Sequence, residues 1–317
     1  MKTAVVTGAG GFIGSHFVKF LKKKGYTVRG IDIVKPSFSD SDADEFILAD
    51  LRDLDQARQS ISAADELYMF AADMGGIGYI SAHHADLMRN NILINSNSLL
   101  VAQEQNIPKI FFASSACIYP VEKQLVAELT ALKESDAIPA NPDSEYGWEK
   151  LFTEQLCLAY RKDYGIDVKI ARFHNIYGPE GTYNNDRAKS PADICRKVAE
   201  AKDGGTVEVW GDGKQSRSYC YIDDCCEGVY RLVHSDVDQP INIGSDELIT
   251  INDLVTLVSK IAKKKLKIKH QLDKPQGVRG RNSDNTLIQE LLGWAPPTSL
   301  KEGFAKTYRW INTQVNG

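Results

Sequence analysis

The architecture of the chain is set near its start by the segment Thr7-Gly8-Ala9-Gly10-Gly11-Phe12-Ile13-Gly14. The segment follows the β-branched run Thr3-Ala4-Val5-Val6 and precedes apolar residues at helical spacing, so a strand, a tight turn and a helix are expected in succession. Glycine permits the turn and a close approach to a pyrophosphate, and the first N–H groups of a helix favour bound phosphate. The segment therefore predicts a dinucleotide site rather than a glycine-rich turn without a ligand. The expected contacts in this turn are Gly8, Gly11, Phe12, Ile13 and Gly14.

Short β-branched runs alternate with longer helical patterns through the first half of the chain. This alternation is typical of parallel strands joined by crossover helices. Strands are expected at 3–7, 27–32, 46–49, 66–71, 109–114 and 167–173, and helices at 13–24, 53–62, 81–105 and 146–164. The pattern predicts an α/β fold with a doubly wound, Rossmann-like parallel sheet.

The pattern changes after Gly178-Pro179, where a polar, turn-rich loop begins. Beyond the loop, helices are expected at 191–202, 223–234, 251–264 and 300–314, and strands at 206–210, 241–243 and 265–271. We predict a nucleotide-binding domain at 1–178 and a second, smaller α/β domain, mainly for substrate, at 179–317. Segments near 211–243 are expected to return to the first domain.

The composition of the chain argues against a nucleic-acid-binding protein and against a membrane protein. With 317 residues the chain can bury a core without disulfides, and its 38 basic and 42 acidic residues are well mixed, with a net charge of −4. This balance gives no charged surface for nucleic acid or for an anionic membrane. No run of eighteen apolar residues occurs, and the chain passes from Met1-Lys2 straight into a strand pattern, so we expect a cytosolic protein.

A metal site is not expected from the sequence. The six cysteines have no paired Cys-x-x-Cys spacing, and His83-His84 has no third ligand near it. A site made from Cys220, Cys225 and Cys226 is the alternative, but these residues are expected to be small buried side chains.

Two acidic residues follow the expected strands. Asp32 closes the second strand, 24 residues after Gly8, where an acid meets the adenosine ribose hydroxyls. Because its carboxylate would repel a 2′-phosphate, NAD is favoured over NADP. Asp50 follows the third strand, either as a further nucleotide contact or as the N-cap of the next helix.

Tyr146 and Lys150 lie four residues apart at the start of an expected helix, on one face, and Ser115 ends the preceding strand. Together with glycines at 8, 11 and 14, this set resembles the short-chain dehydrogenase/reductase superfamily. The resemblance implies that Tyr146 is a general base on a substrate hydroxyl, that Lys150 lowers its pKa and holds the nicotinamide ribose, and that Ser115 orients the hydroxyl. A phenol of pKa about 10 needs such a cation near neutral pH. A non-enzymatic nucleotide sensor would not need the triad.

Four longer strings resemble the GDP-mannose 3,5-epimerase family of nucleotide-sugar enzymes. They are Ala72 to Gly78, Ala113 to Pro120, Arg172 to Pro179 and Gly277 to Asn285, and the likeness runs from residue 3 to about 312. The resemblance implies tightly bound NAD, oxidation of the hexose at C4, epimerisation at C3 and C5, and re-reduction, which converts GDP-mannose to GDP-L-galactose. It also implies adenine contact by Asp50, a cytoplasmic homodimer formed through helices 81–105 and 146–164, and a role in ascorbate biosynthesis.

The resemblance assigns an acid/base pair to Cys117 and Lys189. Cys117 follows Ser115 by two residues, so both side chains enter one cleft if the strand continues. A thiol of pKa about 8.5 is a plausible base when a cation lowers that value, whereas most lone cysteines are small buried residues. Composition alone predicts that Lys189 is a solvated loop residue. The match to the family instead assigns it to the acid/base pair. Ala188 stands where the family has Glu, and Ser190 where it has Ala.

Substrate recognition is expected to depend on guanidinium and ammonium groups, because they match diphosphate oxygens. The resemblance assigns substrate contacts to Gly75, Ser115, Ala116, Cys117, Asn175, Ala188, Lys189, Ser190, Lys197, Gln215, Ser216, Arg217 and Arg281. Arg279 and Lys202 are expected at the surface, and His174 in a local packing or hydrogen-bonding role.

Three related enzyme activities are alternatives to the epimerase activity that the resemblance implies. A GDP-fucose synthase uses NADPH and a His partner, which Asp32 and Lys189 disfavour. A 4,6-dehydratase would have an Asp-Glu pair where Cys117-Ile118 stands, and a 4-epimerase needs no thiol.

Overall fold

Strands and helices alternate through the first half of the computed structural model, which describes residues 1–128, 130–185, 187–274 and 276–317. The strands are β1 (Thr3–Thr7), β2 (Thr27–Asp32), β3 (Glu45–Leu48), β4 (Glu66–Met69), β5 (Lys109–Ser115) and β6 (Asp167–Phe173). The helices are α1 (Phe12–Lys23), α2 (Leu54–Ser60), α3 (Ile77–Ile80), α4 (His84–Glu104) and α5 (Glu145–Tyr164).

Shorter strands and five further helices make up the second half. The strands are β7 (Ile176–Tyr177), β8 (Thr206–Trp210), β9 (Ser216–Ser218), β10 (Cys220–Tyr221), β11 (Ile241–Ile243), β12 (Leu248–Thr250), β13 (Lys267–Gln271) and β14 (Gly280–Arg281). The helices are α6 (Ser190–Glu200), α7 (Ile222–Val233), α8 (Ile251–Ile261), α9 (Thr286–Leu292) and α10 (Leu300–Asn316).

Seven parallel strands form the central sheet in the order β11-β6-β5-β4-β1-β2-β3. The order reverses between β1 and β4, and ligands of doubly wound sheets bind at such a switch point, outside the carboxyl ends of the strands. Asp32 and Ser115 are the last residues of β2 and β5, so both lie at this edge. The predicted Rossmann-like fold is confirmed.

Helices cover both faces of the sheet. Phe111 of β5 packs in one core with α1 and α7, whereas its neighbours Ile110 and Phe112 pack in the other with α2, α4 and α5. All three side chains are fully buried, which explains why β5 reads as a continuous apolar run instead of an alternating one.

The second half builds a smaller layer beside the carboxyl edge of the sheet. β8 pairs with β13, β9 lies between β12 and β14, and α6, α8 and α10 pack together. Two later segments lie against the first half instead: β11 pairs with β6, and α7 packs beside α1. The division at residue 178 remains a prediction.

Some elements differ from the sequence expectations. The helix expected at 81–105 begins at His84 and is preceded by the separate short helix α3. The sequence does not predict the short strands β7, β9, β10, β12 and β14, because two or three residues are too few to show an alternating pattern. It also does not predict the short helix α9. Among the described residues, no helix has the length and apolar character needed to cross a membrane.

Candidate active site

The glycine turn after β1 leaves room for a phosphate. Gly8 has a φ of +72°, and a Cβ there would lie 2.6 Å from the Ala71 nitrogen. A Cβ on Gly14 would lie 2.0 Å from the Gly8 carbonyl oxygen. The N-cap of α1 is Gly11, which has no side chain to occupy the first N–H groups of the helix. The cavity at this turn is lined by Gly10, Gly11, Phe12, Ser15, Pro36, Ser37, Phe38, Glu180 and Thr182. A cradle that side chains would fill suits the pyrophosphate of a dinucleotide.

Asp32 lies beside this turn. Its Oδ2 accepts the Gly10 N–H at 2.9 Å, and its Oδ1 accepts the Val34 N–H at 3.2 Å. Burial raises its pKa, whereas backbone N–H groups oppose the rise. Ile33 and Val34, which the sequence analysis did not single out, are 62% and 54% exposed and offer an apolar ledge next to the carboxylate. The arrangement suits ribose hydroxyls and a flat base better than a second phosphate.

Asp50 is engaged by a neighbour. Its carboxylate accepts hydrogen bonds from Nε and Nη2 of Arg52, at 2.9 and 2.6 Å, and these bonds lower its pKa. The N-cap of α2 is Asp53, whose side chain accepts two backbone N–H groups. The alternative that Asp50 caps this helix is therefore wrong, and its contact with adenine stays a prediction.

Ser115, Tyr146 and Lys150 lie together at the meeting of β5 and α5, and each is less than a tenth exposed. Ser144 begins α5 by accepting the Gly147 N–H, which sets the direction of the first helical turn. The Ser115 hydroxyl hydrogen-bonds Tyr146. The ammonium of Lys150 lies 4.8 Å from the ring centre of Phe112 and 5.6 Å from that of Tyr146.

Burial dominates the electrostatics of this triad. It raises the pKa of Tyr146 well above its usual value, with Cys117 and Glu149 adding to the rise and Ser115 opposing it. Burial also lowers the pKa of Lys150. The pKa of Tyr146 is therefore raised in this structure, whereas the resemblance implies that Lys150 lowers it.

Cys117 does not continue strand β5. The strand ends at Ser115, and residues Ala116–Ile118 form a 3-10 turn. The Ser115 hydroxyl accepts the Cys117 N–H at 3.2 Å, which draws the backbone out of the strand. The alternation argument for Cys117 is therefore wrong. Its thiol is nevertheless partly exposed, whereas the other five cysteines are buried.

Arg281 of β14 contacts the Cys117 thiol. Nη1 of the guanidinium donates to the sulfur at 3.2 Å, Nη2 to Asp143 at 2.5 Å and Nε to Gln124 at 2.7 Å. The cation that a reactive thiol requires is therefore present, although the sequence analysis assigned Arg281 to the substrate. It missed Asp143 and Gln124 altogether, because no motif marks either residue.

Lys189 reaches the same cleft from the other domain. It is the N-cap of α6, and its side chain is solvent-accessible. Burial among the surrounding protein groups lowers the pKa of its ammonium, and Cys117 opposes this effect electrostatically. The ammonium is therefore exposed to solvent and also surrounded by protein groups. The structure thus brings Cys117 and Lys189 into mutual electrostatic range.

The loop that carries Lys189 is tied on both sides. Arg187 donates to the Tyr79 hydroxyl at 2.7 Å and to Asp73 at 3.3 Å. The Ala188 carbonyl lies 2.6 Å from where a Cβ of Gly76 would be, and Ser190 hydrogen-bonds Tyr219 at 3.0 Å. The main chain on either side of Lys189 is therefore fixed.

Arg217 lies beside Arg281, since the two are paired residues of β9 and β14. Its nitrogens donate to the carbonyls of Ser216 and Val278, both at 2.7 Å. Burial and the adjacent Arg281 lower its pKa to about 10. A cation held among cations favours an anionic ligand.

Other expected substrate residues line or border this region. Asn175 has a φ of +41° and donates to the Ser218 carbonyl at 2.9 Å. The Gln215 amide donates to Trp210 at 3.2 Å, and its buried Oε1 has no protein partner. Ala116 is buried in the turn of Cys117, Ser216 donates to the Ala127 carbonyl, and a Cβ on Gly75 would lie 2.7 Å from the Tyr79 Cβ.

Lys197 contacts its own helix and strand β8. Its ammonium pairs with Asp193 at 2.7 Å and donates to the Glu208 carbonyl at 3.1 Å. These contacts separate it from the group around Cys117, so its contact with substrate stays a prediction.

The remaining expectations concern residues outside the site. Arg279 pairs with Asp212 at 2.8 Å, and Lys202 is exposed. His174 is fully buried against Asn242, and burial lowers its pKa to about 3. Cys225 and Cys226 are buried as expected. In the described ranges, no three His, Cys, Asp or Glu residues are arranged for a metal ion.

Comparisons with known proteins agree with this architecture. Residues 4–244 match the model of the NAD dependent epimerase/dehydratase family. The chain is 49% identical to a GDP-mannose 3,5-epimerase of Arabidopsis thaliana, over 98% of this chain and 82% of the relative. It is 31% identical to a probable GDP-L-fucose synthase of Oryza sativa subsp. japonica, over 98% and 92%.

Solved structures of other proteins have the same fold as this chain. A UDP-glucose 4-epimerase of Thermotoga maritima has a TM-score of 0.88 at 23% identity, covering 99% of this chain and 100% of that chain. A UDP-glucuronic acid 4-epimerase of Bacillus cereus, in complex with NAD, has a TM-score of 0.82 at 27% identity, covering 98% and 99%.

Proposed function

The chain belongs to the NAD-dependent epimerase/dehydratase family, and on that premise we propose that it acts as a GDP-mannose 3,5-epimerase, converting GDP-mannose to GDP-L-galactose. It is an NAD-dependent isomerase. The observation that carries the substrate assignment is the group around Cys117. A thiol that accepts a hydrogen bond from Arg281 lies within electrostatic range of Lys189 and of Tyr146 and Lys150, and a 4-epimerase would have no use for the Cys117–Lys189 pair.

The cofactor site uses the turn after β1 and the edge of β2. Gly8, Gly11, Phe12, Ile13 and Gly14 would hold the pyrophosphate, Asp32 the adenosine ribose, and Tyr146 and Lys150 the nicotinamide ribose. NAD bound there would supply a reversible hydride acceptor for C4 of the sugar and a positive charge on the nicotinamide ring.

Tyr146 is the general base that takes the proton of the C4 hydroxyl. Ser115 already hydrogen-bonds the phenol, so a sugar hydroxyl placed between them meets an acceptor and a donor. Because burial raises the pKa of Tyr146, the phenol releases its proton readily only when positive charge lies close to it. This makes proton transfer from the sugar dependent on a fully assembled site.

Cys117 and Lys189 act on the carbons next to C4. A ketone at C4 makes the C–H bonds at C3 and C5 acidic, so a base on one face can take a proton and an acid on the other can return one. Cys117, whose sulfur accepts a hydrogen bond from Arg281, is the base. Burial lowers the pKa of Lys189, so its ammonium gives up a proton more easily.

The GDP group would meet the cationic side of the cleft. Arg217, which is buried beside Arg281, is the main candidate for the diphosphate, and Gln215 offers an unpaired oxygen nearby in the chain. We further assign Gly75, Asn175, Ala188, Ser190, Lys197 and Ser216 to the substrate, on the family resemblance.

We also propose a homodimer formed through α4 and α5. Four large side chains of these helices are exposed: Leu93, Trp148, Phe152 and Tyr164, at 39%, 45%, 50% and 57%. Exposed apolar clusters on helices mark association surfaces. A mass measurement in solution tests this. A cytoplasmic location and a role in ascorbate biosynthesis are proposed on the resemblance.

The activity is tested by supplying GDP-mannose to the NAD-loaded protein and identifying the products by chromatography and NMR. We expect GDP-L-galactose with no net change in NADH. The rival GDP-fucose synthase activity predicts steady oxidation of NADPH with a 4-keto-6-deoxy sugar nucleotide. NADPH consumption without epimerisation of GDP-mannose would contradict the proposal.

A further inference from the structure

The guanidinium of Arg281 is held on three sides by protein. Each of its three nitrogens has a partner: Nη1 the Cys117 sulfur, Nη2 an Asp143 oxygen and Nε the Gln124 oxygen. The side chain is 9% exposed. A long, flexible side chain bound at every nitrogen has one orientation, and that orientation points at the thiol.

Gln124 is itself fixed. It is fully buried, and its amide nitrogen donates to the carbonyls of Tyr119 and Pro120 at 3.0 and 3.3 Å. These two bonds turn its carbonyl oxygen toward Arg281. The Gln124 contact therefore belongs to the rigid scaffold that follows Cys117.

Asp143 is placed by the start of the catalytic helix. Its Oδ1 accepts the Ser144 hydroxyl at 2.9 Å, and Ser144 is the N-cap of α5. The first turn of α5 packs on the turn of Cys117, because a Cβ on Gly147 would lie 2.2 Å from the Cys117 carbonyl oxygen. The carboxylate, guanidinium and thiol thus share one rigid junction.

The two neighbouring arginines differ in their partners. Arg217 donates to neutral backbone carbonyls, whereas Arg281 has a carboxylate and a thiol. The two arginines therefore differ in role. Among the residues that the structure describes, no negatively charged group hydrogen-bonds Arg217, so it can bind an anionic ligand, whereas Arg281 already binds Asp143 and the sulfur.

We propose that Asp143 is a positioning residue that holds Arg281 against Cys117, so that the guanidinium already contacts the sulfur before substrate arrives. Its importance for catalysis rests on the epimerase activity proposed above. The Asp143 carboxylate accepts hydrogen bonds from Arg281 and from the Ser144 hydroxyl, and it acts on the sulfur through the guanidinium. Without it, Arg281 has one fewer anchor and turns from the thiol toward other acceptors in the cleft.

The charges that act on the Cys117 sulfur come from several elements. Those in electrostatic range of it are Tyr146, Lys150, Lys189, Arg217 and Arg281. The carboxylate of Asp143 alone would oppose a thiolate, because like charges repel. Its two possible effects on the thiol therefore have opposite signs, and this makes the proposal testable.

The test is the pH dependence of Cys117 alkylation by iodoacetamide, measured on the folded, NAD-loaded enzyme without sugar nucleotide. The five buried cysteines do not compete. We expect Asp143→Ala to slow alkylation at pH 7 about tenfold, because the charge-assisted contact between the guanidinium and the sulfur is lost. Arg281→Met sets the upper limit of the effect, and Asp143→Glu restores part of the wild-type rate.

The matched control is Asp212→Ala. Asp212 pairs with Arg279 at 2.8 and 2.9 Å, two residues from Arg281 and away from the thiol. Its loss should leave the alkylation profile unchanged. Thermal unfolding and NAD binding are measured on each variant, and Asp143→Asn replaces Asp143→Ala if that variant fails to fold.

The contrary result is an unchanged or faster alkylation at pH 7 in Asp143→Ala, which would show that Asp143 acts by charge alone or not at all. Because no sugar is present, this outcome is independent of whether the enzyme acts on GDP-mannose. A slowed alkylation in a protein without epimerase activity would support the positioning role and contradict the proposed function.

Discussion

Replacing Glu154 with Gln should remove a large part of the stability of the fold around the active site. Glu154 lies on α5, one turn beyond Lys150, and is 1% exposed. It accepts Nε and Nη2 of Arg172 on β6 at 3.1 and 2.8 Å, and it also accepts the hydroxyl of Ser114. The pair therefore joins the catalytic helix to two strands of the sheet.

The expected loss of stability is large because the Glu154–Arg172 ion pair is buried. Removing one partner of a buried ion pair leaves an uncompensated charge and costs about 3–5 kcal/mol. Arg172 keeps a bond to the Glu134 carbonyl at 2.8 Å and a longer one to Tyr119, neither of which carries a negative charge. We therefore expect a loss of this size in the free energy of unfolding.

The assay is urea unfolding at pH 7, with Glu104→Gln as the matched control. Glu104 binds Arg58 in the same two-bond geometry, at 3.0 and 2.8 Å, but the side chains are 32% and 45% exposed. Solvent screens an exposed pair, so its loss should cost far less than the loss of the buried pair. Equal losses in the two variants would refute the claim that burial sets the magnitude.

Three further outcomes are expected. Gly14→Ala should weaken NAD binding in calorimetry about fivefold or more, because its Cβ would overlap the Gly8 carbonyl and overpacking costs about 1–3 kcal/mol; unchanged affinity would contradict the role of the turn. Burial raises the pKa of Glu66, but hydrogen bonds led by that of His234 bring it down to about 2. The stability it adds is thus complete above pH 4.5 and lost toward pH 2, so unfolding free energies of wild type and Glu66→Gln should converge in acid. Lys189→Met should bind NAD normally and lose epimerisation, and a loss of NAD binding would make the lysine structural.

Local spacing was enough to predict the nucleotide turn and the triad. Gly8 to Gly14 and Tyr146 to Lys150 each lie within one turn or one helix, so the sequence alone places their groups together. The same holds for the parallel sheet, because each strand is followed by its crossover helix.

Contacts between distant segments could not be predicted in this way. Arg281 lies 138 residues from Asp143 and 157 from Gln124, and no periodic pattern links them. The turn at Cys117 depends on a single side-chain hydrogen bond from Ser115, which competes with strand formation. The cleft position of Lys189 likewise arises from packing of its loop between Tyr79 and Tyr219.

The central claim is that Cys117 exchanges protons at the carbons flanking C4. It is tested most directly by incubating GDP-mannose with the enzyme in heavy water and following the sugar protons by NMR. We predict deuterium at C3 and C5 with the wild-type protein, and its suppression in Cys117→Ala while NAD binding is retained. Unchanged deuterium incorporation in Cys117→Ala would contradict the account.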